Sequence, residues 1–151
     1  MDAILALCER FADHSVVFPV HPNPNVRKVV DARLRGHPRV HLIEPLDYVH
    51  FCHLMNRAKI ILTDSGGVQE EAPSLGKPVL VLRETTERPE GVEGGVALLV
   101  GTRTELIIEQ ASRLLSSEAA RKEMSARANP YGDGNASGRI VDVLRHRLFA
   151  S

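Results

Sequence analysis

Charge of one sign is missing from this 151-residue sequence: 19 lysines and arginines balance 19 aspartates and glutamates. A balanced chain lacks the long-range field that draws nucleic acid or an anionic membrane. Neither is therefore expected as a partner, although a local anion site remains open. Cysteine is scarce. Cys8 and Cys52 stand 44 positions apart, form no C-x-x-C pair and give neither a zinc signature nor a disulfide framework. Of the seven histidines, His50 and His53 are close at helical spacing, and no further residue nearby completes a set, so no metal site is expected. No apolar run approaches the ~20 residues of a membrane span. Met1-Asp2-Ala3 lacks the basic start of a signal peptide. A reducing cytoplasmic address is the simplest expectation. Internal repeats and low-complexity linkers are absent too.

What is present is alternation. Ile4, Leu7, Cys8, Phe11 and Ala12 mark a helix face, and Ser15 to Val20 reads as a strand. Val26, Val29, Val30 and Leu34 mark a second helix, stopped at Gly36-His37-Pro38, and Val40 to Ile43 a second strand. Asp47 can cap a third helix that turns Phe51, Leu54 and Met55 inward. A strand over 59–64 ends in Thr63, Asp64 and Ser65. Gly66-Gly67 then open a helix that stops at Gly76-Lys77-Pro78, and Val79 to Leu82 is another strand. Arg83 to Gly95 reads as a long polar loop. Val96 to Gly101 is the last strand, and Thr102 with Glu105 spells a capping box. The helix after it presents Ile107, Ile108, Ala111, Leu114 and Leu115. Ser117 to Arg127 is helical again, Asn129 to Gly138 is a turn cluster, and a last helix carries Ile140, Val141, Leu144 and Leu148.

Short, continuous apolar strands alternating with helices predict a single α/β domain with a Rossmann-like parallel sheet covered by helices on both faces. The chain starts on a helix, however. In the doubly wound order 3-2-1-4-5-6, a first strand would lie between the strands at 15–20 and 59–64. That strand has no counterpart here. Either those two strands pair directly, or a gap stays open that favours self-association.

In open parallel sheets ligands bind beyond the carboxyl ends of the strands, which is where Ser65-Gly66-Gly67 falls. Glycine lets a ligand approach the backbone, and a helix N-terminus offers amide donors and about half a positive charge. The alternative is an ordinary tight turn with solvated glutamates. Pro73 removes an amide from a short helix, which suggests that the helix is kept for its first turn. The residues alone leave both readings open.

The stretch LTDSGGVQEEAPSLGKPVLVLRETTERPEG, together with FPVHPNPNV and NPYGDGNAS, resembles three blocks of the non-hydrolysing UDP-N-acetylglucosamine 2-epimerases, in the same order. The resemblance implies the second domain of a two-domain glycosyltransferase-B-type fold. It further implies that Ser65, Gly66 and Gly67 hold the diphosphate of UDP, that Glu71 takes the ribose hydroxyls and that Phe51 stands beside the uracil. Core packing is the alternative for Phe51. His21 corresponds to a histidine linked to a second, activating UDP-N-acetylglucosamine, and Arg88 to a cleft residue. For Arg88, salt bridges to Glu84, Glu87 or Glu90 are the alternative. Family members invert C2 of the sugar by eliminating UDP and adding it back, with no cofactor. Their carboxylates for the C2 proton lie in the first domain, so this chain is expected to carry no catalytic residue. It is also expected either to self-associate or to need its missing N-terminal domain. Competing readings are the donor-binding half of a glycosyltransferase and a non-catalytic nucleotide-sugar-binding module.

Overall fold

The computed structural model describes residues 1–149. The elements alternate along the chain as α1 (Asp2–Arg10), β1 (Val16–Pro19), α2 (Pro24–Leu34), β2 (Val40–Ile43), α3 (Tyr48–Arg57), β3 (Ile61–Thr63), α4 (Gly66–Ser74), β4 (Val79–Val81), α5 (Pro89–Glu93), β5 (Ala97–Leu99), α6 (Thr104–Ser116), α7 (Glu118–Ser125) and α8 (Ala136–Phe149). Every strand pairing is parallel.

β4 shows why these residues form this layered arrangement. Successive side chains of a strand point to opposite faces. Leu80 packs with Ala3 and Leu7 of α1, Ile107, Ala111 and Leu114 of α6 and Met124 of α7. Val79 and Val81 pack on the other face with Met55 of α3 and Ala72 of α4. A third cluster joins Cys8 of α1 to Val30 and Leu34 of α2 and to Val40. Helix α1 therefore serves two of the three clusters.

The strands form two sheets, β1-β2 and β3-β4-β5. β1 and β3 do not pair, so the sheet has not closed over the position of the absent strand. Just before these strands, the Nζ of Lys59 lies 2.8 Å from the Nε2 of His14. Val17, on one face of β1, is 42% exposed.

Several expectations are corrected. The stretch 83–95 is not all loop: Pro89 takes the first position of α5, where a missing amide costs nothing and the fixed φ suits a helix. The capping box does not form. Arg103 is the N-cap of α6, and Thr102 instead donates both its amide (3.2 Å) and its hydroxyl (3.3 Å) to Glu84 Oε1. Helix α1 stops before Phe11 and Ala12, and Val26 and Val29 of α2 are exposed. Ile108 and Leu115 are only partly buried against the core. The Asp47 cap does form, with its carboxylate accepting from the His50 amide at 3.0 Å.

The turn cluster before α8 is fastened by its own polar groups. Asn129 donates to Ser74 Oγ (2.8 Å), and the Tyr131 ring lies against Gly91, where a methyl group would collide with the tyrosine hydroxyl. Asp133 accepts two bonds from Arg139, at 2.9 and 2.6 Å, and one from the Asn135 amide at 3.0 Å. The Arg139 bonds, followed by the Asn135 amide, hold the Asp133 carboxyl down at about 2. A depressed carboxyl stabilises the fold above its unfolded value of ~3.9, and that contribution is lost as pH falls through about 2. In a carboxyl-carbon NMR titration Asp133 is expected to titrate at about 2, and to move back toward ~4 in Arg139→Ala.

Candidate functional site

The site lies at the carboxyl ends of the strands. Thr63 ends β3, Asp64 follows, and Ser65 is the N-cap of α4. The Thr63 hydroxyl accepts the Ser65 amide at 3.0 Å, which sets the entry into the helix. The Ser65 side chain makes no capping bond, so its hydroxyl is unspent. Gly66, Gly67 and Val68 supply the first three amides of α4. None of them has a hydrogen-bond partner among the described residues. Four donors thus converge at the positive end of a nine-residue helix.

Neither glycine has a positive φ. The backbone conformation here therefore does not itself require glycine. Since glycine is a poor helix former, the reason for it has to be space. The two positions differ in what fills that space. A Cβ on Gly66 would lie 3.2 Å from the Cζ of Arg88, whose guanidinium rests on the glycine. A Cβ on Gly67 would meet only Glu71 Oε1 and Ser65 Oγ, each at 3.9 Å. Gly66 makes room for an arginine, and Gly67 leaves the corner open to solvent.

Arg88 donates from Nε to Glu70 at 2.7 Å and from Nη1 to Glu87 at 3.0 Å. Of the partners expected from sequence, Glu87 is confirmed. Glu84 is occupied by Thr102, and Glu70 is the partner that sequence reasoning missed. The bond it donates to Glu70 raises the guanidinium's pKa and holds its charge more firmly still. Arg88 Nη2 donates to nothing among the described residues, so the group can accept an anion without first losing a carboxylate.

Glu71 lies one turn beyond Gly67 and close to α3. Tyr48 is pushed up, first by its hydrogen bond to Cys52 and then by the Glu71 charge. Phe51, on the same helix, is half-buried against the cluster of Met55, Ala72 and Val81. Core packing thus accounts for part of its position. His21 follows the end of β1 and is exposed, and its Nδ1 accepts the Asn23 amide at 3.2 Å. No hydrogen bond among the described residues joins it to Ser65, Glu71 or Arg88. Within those residues no group of three or more His, Cys, Asp or Glu could hold a metal, and no helix is long and apolar enough to cross a membrane.

Two residues of the site gave no separate signal in the sequence. Gln69 sits inside the polar run Gln69-Glu70-Glu71 but is 2% exposed. Only its spacing of three from Ala72, which is fully buried, places it on the inner face. Thr86 lies in a stretch without regular structure, and its importance is visible only through its partners.

Comparison with known proteins identifies the family. A model of the UDP-N-acetylglucosamine 2-epimerase family matches residues 1–145. The chain is 55% identical over 142 residues to a UDP-N-acetylglucosamine 2-epimerase of Bacillus subtilis, covering 94% of this chain and 37% of that protein. With the Escherichia coli K12 enzyme of the same name it shares 52% over 149 residues, covering 98% and 39%. A crystal structure of UDP-GlcNAc 2-epimerase from Neisseria meningitidis bound to UDP-GlcNAc superposes with a TM-score of 0.86 at 52% identity, covering 94% of this chain and 39% of that one. The chain thus spans about two fifths of the length of the relatives it matches, and its α/β architecture is the partial Rossmann-like fold of their glycosyltransferase-B-type structures. On the match along nearly its whole length, the chain belongs to the UDP-N-acetylglucosamine 2-epimerase family.

Proposed function

We propose that this chain is the UDP-binding part of an epimerase that interconverts UDP-N-acetylglucosamine and its C2 epimer, UDP-N-acetylmannosamine. The observation that carries the reading is the set of unpartnered donors at Ser65, Gly66, Gly67 and Val68, beside an open Gly67 and under the Arg88 guanidinium. In this reading the diphosphate sits on Ser65–Gly67 with Arg88 above it. Glu71 accepts the ribose hydroxyls, and Phe51 and its backbone stand at the uracil. His21 lines the cleft farther out, where an activating sugar nucleotide is held. The Neisseria relative was crystallised with UDP-GlcNAc, which supports this choice of ligand.

Epimerisation at C2 through loss of UDP builds negative charge on the departing diphosphate. Amides and a helix dipole that are already aligned stabilise that charge without reorganising. Taking the C2 proton needs a positioned base. Glu70 is engaged by Arg88 and Glu71 is assigned to the ribose, so neither carboxylate of α4 is given that role. The base belongs to the partner domain, which completes a single nucleotide-sugar domain of this kind. The chain acts in the cytoplasm without a cofactor, and the unpaired edges of β1 and β3 promote association.

The test uses the 151-residue chain with UDP-N-acetylglucosamine in deuterated water. Saturation transfer from protein to the uridine protons is expected, and no deuterium at C2. Absent transfer overturns the binding claim, and deuterium at C2 overturns the assignment of the base to another domain.

A further inference from the structure

Arg88 ends the irregular stretch after β4 as the N-cap of α5, where its carbonyl accepts the Gly91 amide (3.3 Å) and the Tyr131 hydroxyl (3.4 Å), and its guanidinium lies on Gly66. Those bonds fix its carbonyl, and a second set ties its amide to the first turn of α4. The Gln69 side chain is buried, and its polar atoms are both engaged. Nε2 donates to the Ser65 carbonyl at 3.2 Å, and Oε1 accepts from the Thr86 hydroxyl at 2.6 Å. The Thr86 oxygen in turn accepts the Arg88 amide at 3.0 Å. Three hydrogen bonds therefore run without a break from the carbonyl of the helix cap to the backbone of the arginine. Glu70 and Glu87 hold the guanidinium at its other end.

A buried amide is costly unless its bonds are made, and an apolar side chain of similar volume would fill the same space at lower cost. The polar choice fixes the position of one segment relative to another. We propose that Gln69 and Thr86 are positioning residues. In this proposal they set the distance between the Arg88 guanidinium and the amides of Gly66 and Gly67, so that both reach one diphosphate. The proposal rests on the UDP-binding reading and deepens it. Small displacements of groups that must meet a ligand together weaken the result steeply, even when the displaced bond lies away from the ligand.

Nitrogen-15 NMR of the full chain tests this in two arms. Without ligand, Thr86→Val removes the hydroxyl while keeping the shape. The Gly66 amide and Arg88 Nε–H signals are expected to move, and Thr86→Ser to restore them, while Val79 and Leu114 in the core stay put. With ligand, Thr86→Val is expected to raise the Kd for UDP about tenfold, the loss of one hydrogen bond's worth of alignment, and to leave the Kd for uridine unchanged. In an Arg88→Ala background the same change is expected to add nothing. Equal losses for UDP and uridine, full additivity with Arg88→Ala, or unmoved Gly66 and Arg88 signals overturn the clamp. If Thr86→Val does not fold, Thr86→Ala is read in the same way. If the wild-type chain binds no UDP, the functional reading fails and the ligand-free arm alone decides the clamp.

Discussion

Gly67→Val is expected to fold normally and to bind UDP about a hundredfold more weakly than the wild-type chain. The fold tolerates the change because a Cβ there meets its nearest atoms at 3.9 Å, an ordinary contact, and because the backbone is already helical. Valine is no worse a helix former than glycine. The two methyl groups nevertheless occupy the space through which an anion reaches the amides of Gly66, Gly67 and Val68. Losing charge-assisted bonds of about 1.5–3 kcal/mol each accounts for the size of the effect, and a hundredfold corresponds to about 2.8 kcal/mol. Gly66→Ala acts differently. Its Cβ pushes the Arg88 guanidinium by a few tenths of an ångström, so it weakens the diphosphate contact through the arginine and not by blocking the corner. Calorimetry or an NMR titration with UDP, beside thermal melts of each variant, separates the two routes.

The largest effect on stability is expected from Leu80→Ala. Leu80 is fully buried in the central strand of the three-stranded sheet, with α1, α6 and α7 around it. Truncating such a leucine removes its transfer free energy and leaves a cavity, together about 3 kcal/mol. For a chain of this length that lowers Tm by roughly 10 °C. The consequence is more than local, because α1 touches Leu80 on one side and, through Cys8, the cluster under β1 and β2 on the other. With β1 and β3 unpaired, α1 carries much of the connection between the two sheets. Val17→Thr, on the exposed side of β1, is expected to change Tm by no more than a degree or two. Thermal unfolding followed by circular dichroism gives both numbers, and a Leu80→Ala melt equal to wild type contradicts this view of the core.

The five strands and the two covered faces were legible, because short, continuous apolar runs alternating with helices leave few alternatives. The corner at Ser65 was legible for the same reason: it follows a strand end, and its residues are adjacent in the chain. What sequence could not show depends on partners far along the chain. Thr102 looked like a helix cap, but Glu84, eighteen residues away, takes its hydroxyl and amide. Glu70 read as one of two solvated acids, whereas an arginine eighteen residues on selects it over its neighbour. α5 was missed because Pro89 and Gly91 are read as breakers, although proline at a first helical position starts a helix. The last helix was seen, but its apolar face at Ile140, Val141, Leu144 and Leu148 joins none of the core clusters among the described residues and stays exposed. Periodicity reports that a face is apolar, not what it meets.

The central claim is that the first turn of α4 holds the pyrophosphate of a uridine nucleotide. The most direct measurement is an amide NMR titration of the chain with UDP, followed at Gly66, Gly67 and Val68 and repeated with uridine. Saturable shifts at all three amides with UDP, and none of that size with uridine, are the predicted result. Shifts that spare these amides, or that uridine reproduces in full, would contradict it.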